Sequence, residues 1–189
     1  MKIVRTVSVV LGLVMAVACA SCGSAETDHG ESAVIAAETV QTHELGAIGN
    51  LHAFGGILTA GQPSADDFEE ARKAGVATVV NMRHEREMKG FDEAALMADL
   101  GITYVAMPWN GADELTDEIF DRSREILNTA EQPLMVHCGS ANRVGAVWIP
   151  WRVLDGGISF EEALAEAKTI GLRTPAYAPK ARDYIERHR

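Results

Sequence analysis

Between Ile57 and the C-terminus, short apolar runs alternate with longer stretches in which apolar residues recur every three or four positions. The runs Ile57-Leu-Thr-Ala60, Val76-Ala-Thr-Val-Val-Asn-Met82, Ile102 to Met107 and Leu134-Met-Val136 have the lengths of strands. The β-branched second run suits a strand buried on both faces. Ile57 to Pro63 reads as an edge strand entering a turn. Ser64-Ala-Asp-Asp67 then forms a capping box for a helix with Phe68, Ala71 and Ala74 on one face and Gly75 as its stop. A charged loop from Arg83 to Gly90 precedes a helix from Phe91 to Leu100, closed by Gly101. After a loop from Trp109 to Leu115, Thr116 opens a helix carrying Ile119, Phe120, Ser123, Ile126 and Leu127. Ser159-Phe-Glu-Glu162 is a second capping box, for a helix reaching Ile170, and a last helix runs from Pro179. Strands alternating with helices predict a three-layer α/β domain with a mostly parallel central sheet flanked by helices.

The chemistry concentrates between Pro133 and Ala146, where an apolar strand ends at His137, Cys138 opens a loop of small residues, and helical spacing resumes from Arg143. Backbone N–H groups of Gly139, Ser140, Ala141 and Asn142, with those of the helix's first turn, would converge on one concavity suited to an anion. Cys138 would lie at its base and Arg143 at its rim. A thiol so placed loses its proton readily, since the usual value near ~8.5 falls to roughly 3.5–7.5 beside cations or helix N-termini. The planar guanidinium of Arg143 can hold two oxygens of a tetrahedral oxyanion while the thiolate attacks its centre. The structural alternative is a small buried cysteine at a strand end with a solvated arginine.

The first 22 residues have another character. Lys2 and Arg5 precede an apolar stretch from Val7 to Ala18, the layout of an export signal. Cys19 and Cys22 both end lipobox-like sequences, so the mature protein is expected to be lipid-anchored through Cys19 (or Cys22) in the periplasm or cell envelope, with a soluble exported form as the alternative. Residues 23–47 read as a tether rich in small and polar residues, and 48–189 as the domain. The chain carries a formal charge of −10; two of its 17 basic residues and none of its 27 acidic ones leave with the signal, so the mature charge is −12. This acidity argues against nucleic-acid partners and against electrostatic membrane binding, leaving the lipid anchor as the one membrane contact expected. Beyond the signal region Cys138 is alone, so no disulfide forms within the domain. His29, His43, His52, His84, His137 and His188 show no ligand spacing, and neither a metal nor an organic cofactor is expected.

The succession Ala60-Gly-Gln-Pro63, Val79-Val-Asn-Met-Arg83 with Glu85 and Glu87, Val105-Ala-Met-Pro108, His137-Cys138 to Arg143, and Phe160-Glu-Glu-Ala-Leu-Ala-Glu-Ala167 with Gly171-Leu172 resembles the cysteine-dependent dual-specificity and tyrosine phosphatase superfamily. It is most similar to the bacterial branch of beta-lactamase-hydrolase-like phosphatase domains, over about residues 48–173. The resemblance implies Cys138 as nucleophile, Arg143 as oxyanion clamp, Gly139 to Asn142 as the cradle, and His137 as a residue that stiffens the loop and favours the thiolate. It further implies a general acid on the loop after the preceding strand. Asp113 is the best placed, with Glu114 and Asp117 as competitors. The substrate would be a small oxyanion or a phosphorylated molecule, hydrolysed through a phosphocysteine.

Three departures favour other readings. Only four residues separate Cys138 from Arg143, where the superfamily at large has five. Val144 stands where phosphatases place Ser or Thr, and Ala141 near where a loop glycine is common, so positive φ there would carry strain. Rhodanese-like sulfur transfer, with a persulfide on Cys138, is therefore one alternative, and an inactive anion- or partner-binding domain another. Arg83 and His84, following a strand, are candidate substrate contacts, and Trp109 has a better claim to line the site than Trp148 or Trp151.

Overall fold

The computed structural model describes residues 39–189. The signal, Cys19 and Cys22 lie outside the described residues. The chain runs β1 (Gln41–Thr42), β2 (His52–Phe54), β3 (Ile57–Ala60), α1 (Ala65–Lys73), β4 (Thr78–Asn81), a 3-10 turn (Glu85–Glu87), α2 (Glu93–Leu100), β5 (Thr103–Ala106), α3 (Asp117–Thr129), β6 (Leu134–His137), α4 (Asn142–Leu154), α5 (Phe160–Ile170) and α6 (Tyr177–Arg187). The six strands form one sheet in the order β1-β2-β3-β6-β4-β5. β3, β6, β4 and β5 run parallel, and β1 and β2 join antiparallel.

Strand alternation divides the core into two. Leu58, Val79 and Met135 face α1 and α2, against Phe68, Ala71 and Met97. Ile57, Val80, Leu134 and Val136 face the larger layer of α3 to α6, against Phe120, Val147, Trp148, Ala163 and Tyr184. Apolar side chains on both faces explain why these strands read as unbroken apolar runs. α4 and α5 come close at Gly145, where a methyl group would lie 2.7 Å from the Ala167 carbonyl oxygen. The capping boxes expected at Ser64 and Ser159 are both present, closed by Asp67 and Glu162.

Three expectations change. Ile57–Ala60 is an interior strand with β2 on one side and β6 on the other, because His52–Phe54 pairs with it through Gly55 and Gly56. A three-residue strand is too short to announce itself by alternation. The sheet also reaches back into the segment read as tether: Gln41–Thr42 pairs with β2, and the Ala47 amide donates to Asp67 at 2.7 Å. α6 begins at Tyr177, two residues before Pro179, whose missing N–H falls in the first turn where none is needed. No helix among the described residues is long and apolar enough to cross a membrane.

The consequence for the site is positional. His137, the last residue of β6, is in register with Ala60 of β3 and Asn81 of β4, so Cys138 emerges at the carboxyl edge of the parallel strands, where open α/β sheets place ligands.

Candidate active site

Cys138 is 1% exposed, and its amide donates to the Ala60 carbonyl at 3.3 Å. The loop after it is pinned from three directions. Gly61 bridges Ser140, Asn50 Nδ2 donates to the Ser140 carbonyl at 3.1 Å, and Arg173 Nη2 donates to Ser140 Oγ at 2.5 Å. Ala141, the N-cap of α4, has φ 60°, a left-handed conformation in a residue with a β-carbon, so the strain that the sequence made conditional on positive φ applies. Asn142 turns its side chain to the α5–α6 connection, with Oδ1 accepting from the Arg173 and Thr174 amides at 2.8 and 3.1 Å and Nδ2 donating to Thr174 Oγ1 at 2.8 Å. Its contribution to an anion cradle is therefore limited to its backbone. The four-residue loop thus arrives at the N-terminus of a helix of 13 residues, whose first-turn N–H groups and dipole favour an anion beside Cys138.

Arg143 does not lie at the rim. It is 6% exposed and held from beneath, with Nη1 donating to the Met82 carbonyl at 2.8 Å, the Trp109 carbonyl at 2.9 Å and Glu87 Oε1 at 2.8 Å, and Nη2 donating to Glu87 Oε2 at 2.7 Å. Burial opposes the guanidinium's charge, but the Glu87 carboxylate and the Cys138 sulfur outweigh it and the group is more firmly protonated than usual. The hydrogen bond from Arg143, stronger than the opposing effect of burial, holds the Glu87 carboxyl down to about 2. A guanidinium has five N–H donors. The Nη1–Nη2 edge is occupied by Glu87, and Nε–H and the second Nη2–H bond no oxygen or nitrogen among the described residues, with the Cys138 sulfur as their neighbour. Nη2 lies 3.9 Å from where a β-carbon on Gly139 would sit, so that edge adjoins the cysteine loop.

His137 is fully buried, and its Nε2 meets Glu93 Oε1 at 2.8 Å, while the ring packs edge-on against Phe68. Glu93 itself is buried. Burial works against its charge, but hydrogen bonds from His137 and Gln62 outweigh this and its carboxyl lies below the ordinary range. A carboxylate only accepts, so Nε2 of His137 carries a proton. Its Nδ1 has no hydrogen-bond partner among the described residues.

The loop after β5 is fastened to the same centre. The Trp109 carbonyl takes Arg143, its buried ring packs edge-on against Tyr177, and the Gly111 amide donates to Tyr177 Oη at 3.2 Å. Trp109 thus supports the site from below. Of the three candidate acids, Glu114 on this loop is bound to His84 Nε2 at 2.6 Å and the Asn110 amide at 2.7 Å, and Asp117, the first residue of α3, pairs with Arg187. Asp113 is exposed and takes part in no ion pair among the described residues. Arg83 donates to Gln62 Oε1 at 2.5 Å and to the Glu87 carbonyl, so it braces protein groups, and His84 is engaged with Glu114. Gln62, Glu87 and Glu93 were not legible as site residues. Their spacing carries no signal, and only the presence of Gln62 and Glu87 in family-like motifs pointed towards them. Among the described residues no group of three or more His, Cys, Asp or Glu side chains could hold a metal ion.

A parallel-stranded sheet delivering a buried cysteine to a helix N-terminus, with an arginine fixed beneath its loop, is the architecture of the cysteine-based phosphatase superfamily. Residues 56–152 match the family described as "Beta-lactamase hydrolase-like protein, phosphatase-like domain", and the chain belongs to it. The Beta-lactamase hydrolase-like protein of Xylella fastidiosa is 27% identical over 113 residues, which are 58% of this chain and 26% of that protein. The chain thus spans about a quarter of the length of the curated relatives it matches. Among solved structures, a DUF442 protein from Shewanella putrefaciens CN-32 superposes with TM-score 0.64 at 20% identity, over 76% of this chain and 95% of that one. P. aeruginosa TpbA in complex with pTyr superposes with TM-score 0.62 at 18% identity, over 79% and 94%. At such identities the structures establish the fold.

Proposed function

We propose that the chain is an exported cysteine-based phosphatase that hydrolyses a phosphate monoester through a phosphocysteine on Cys138. The observation that carries this reading is the split use of Arg143: the guanidinium is locked to Glu87 and two carbonyls through Nη1 and one N–H of Nη2, and its other edge, which bonds no oxygen or nitrogen among the described residues, is turned to the cysteine loop and the Cys138 sulfur. A clamp fixed before substrate arrives needs no reorganisation when charge develops on the transferring group. Cys138 Sγ attacks phosphorus, forming the S–P bond as the ester P–O bond breaks, and Asp113 gives its proton to the leaving oxygen. Water then attacks the phosphocysteine and loses a proton to Asp113, the S–P bond breaks, and inorganic phosphate leaves. The pTyr-bound neighbour makes phosphotyrosine the first substrate to try.

The test is intact mass spectrometry of the full-length protein and Cys138→Ser after brief exposure to an aryl phosphate or to thiosulfate. A phosphoryl adduct confined to the wild type is expected. Absent turnover of aryl phosphates from mildly acidic to neutral pH, or full activity in Cys138→Ser, overturns the reading. A persulfide instead would establish sulfur transfer, which the four-residue loop and the buried Val144 in place of a hydroxyl favour. For export, the expected result is fatty-acid labelling of the protein in cells that is lost in Cys19→Ser or Cys22→Ser; absence of labelling would leave only the soluble form.

A further inference from the structure

Three segments that meet at the cysteine loop contain no acid. Asp and Glu are absent between Gly46 and Pro63, between Gln132 and Leu154, and between Gly171 and Arg182, in a chain with 27 acidic residues and a formal charge of −10. The segments touch one another. Gly61 bridges Ser140, Asn50 donates to the Ser140 carbonyl, and the Arg173 and Thr174 amides donate to Asn142. On this side of the loop the charged side chains are therefore cations, against the sign of the whole molecule.

The charge of Arg143 is balanced by Glu87, to which it donates through Nη1 and Nη2. A phosphoryl dianion beside a Cys138 thiolate would otherwise meet only backbone N–H groups and a helix dipole equivalent to roughly half a charge. Arg173 supplies a whole one. It is exposed, its Nη2 donates to Ser140 Oγ at 2.5 Å, and it takes part in no ion pair among the described residues, whereas Arg124, Arg152, Arg182 and Arg187 each hold a carboxylate. A hydroxyl is neutral, so this bond fixes where the guanidinium stands and leaves its charge uncompensated and most of its donors unused.

The place is defined on both sides. Ser140 is two residues beyond Cys138, so their Cα atoms are at most about 7 Å apart. Tyr177, where the α5–α6 connection ends, accepts from the Gly111 amide at 3.2 Å and packs on Trp109, which ties the connection to the loop bearing Asp113. Lys180, the next cation along, is turned to the Leu115 carbonyl. Arg143 is buried beneath the cysteine loop and Arg173 exposed beside it. The first thus faces the transferring group, and the second whatever the ester carries outward. We propose that Arg173 is a substrate-binding residue that selects phosphate monoesters bearing a second oxyanion, a carboxylate or another phosphate, on the leaving group. This rests on the reading of the Cys138 loop as a phosphoryl site and adds the class of ester it prefers.

The experiment uses full-length Cys138→Ser, alone and with Arg173→Gln or Ser140→Ala added. Isothermal titration calorimetry measures binding of 3- and 4-carboxyphenyl phosphate and of the matching carbamoylphenyl phosphates. Carboxylate and carboxamide have nearly the same shape, so the ratio of their affinities reports charge. In Cys138→Ser at least one carboxylate is expected to bind about fivefold tighter than its amide, as for one exposed charge pair, with the ratio shrinking as salt is raised. Adding Arg173→Gln should return the ratio to one. Adding Ser140→Ala should keep it, because the hydroxyl steadies the guanidinium but contributes no charge. Equal affinities in Cys138→Ser overturn the proposal, as does absent binding of all four esters. A ratio that survives Arg173→Gln also overturns it, and would place the second anion on another cation such as Arg86. So does a ratio lost equally in both variants, since Arg173 would then act only by holding the loop. Wild-type turnover of the same esters separates this from the reading beneath it. The expected ratio without any turnover would sink the phosphatase and leave the anion subsite standing, and turnover without the ratio would do the reverse.

Discussion

Gly171 faces Ala141 so closely that a β-carbon on Gly171 would lie 3.3 Å from the Ala141 methyl and 3.0 Å from the Ser140 carbonyl oxygen. Ala141 holds a left-handed conformation that only glycine adopts freely, and Gly171 itself has φ 138°. The loop's strained residue is thus seated against a glycine on the α5–α6 connection, which also receives the Asn142 side chain through the Arg173 and Thr174 amides. Gly171→Ala is expected to lose about 2 kcal/mol or more, since it adds backbone strain to the contact. Ala141→Gly should lie within about 1 kcal/mol of wild type, because relief of roughly 1–2 kcal/mol of left-handed strain is offset by loss of one buried methyl group. Urea midpoints of the two variants check both values.

Glu87→Gln leaves the Arg143 guanidinium buried without its counter-charge. Breaking one partner of such a pair costs about 3 kcal/mol. The free edge of Arg143 would also swing away from the cysteine loop, so the substrate's KM should rise as the bound ground state loses its clamp, and kcat should fall because the same edge meets the charge that develops in the transition state. Equilibrium unfolding and steady-state kinetics on the same preparation measure the two effects. An unchanged KM would mean that Met82 and Trp109 alone suffice to hold the arginine.

Acid sensitivity follows from the same pair. The Glu87 carboxyl is held down to about 2 against a usual 4.5, so its contribution to stability is complete above pH 4.5 and is lost as pH falls through about 2. That contribution is on the order of 3 kcal/mol. The difference in urea midpoint between wild type and Glu87→Gln should therefore be constant at neutral pH and close progressively between pH 4.5 and 2. A difference that persists at pH 2 would show that Arg143 is held by something other than the charge on Glu87.

The parts of this structure legible in the sequence are those set by local rules. Capping boxes at Ser64 and Ser159, apolar runs at β4 and β6, and a small-residue loop between Cys138 and Arg143 each carry their own pattern. His52–Phe54 is too short to show alternation, so β3 looked like an edge. Arg143 looked like a rim residue because its partners are Glu87, Met82 and Trp109, between 34 and 61 residues away in the chain. Glu93 opens a helix next to its Asp92 cap, where an acid is expected for the dipole alone, and nothing in its neighbourhood signals a buried bond to His137. Polar partnerships across the sheet edge have no period, and only the fold reveals them.

The identity of the proton donor can be read from the leaving group. Protonation matters most when the departing oxygen is strongly basic, so loss of the acid should slow an alkyl phosphate far more than an aryl phosphate with an acidic phenol. Asp113→Asn is expected to lower turnover of the alkyl ester by about 10²- to 10⁴-fold and that of the activated aryl ester much less. Glu114→Gln removes a carboxylate already engaged by His84 and the Asn110 amide, and Asp117→Asn one paired with Arg187, so both should leave the ratio of the two rates near the wild-type value. Paired rate measurements on the three variants decide among the acids, since only loss of the true donor separates the two substrates. Should Glu114→Gln produce the separation instead, the donor would be the acid tied to His84, and His84 would join the site as the group that sets its protonation.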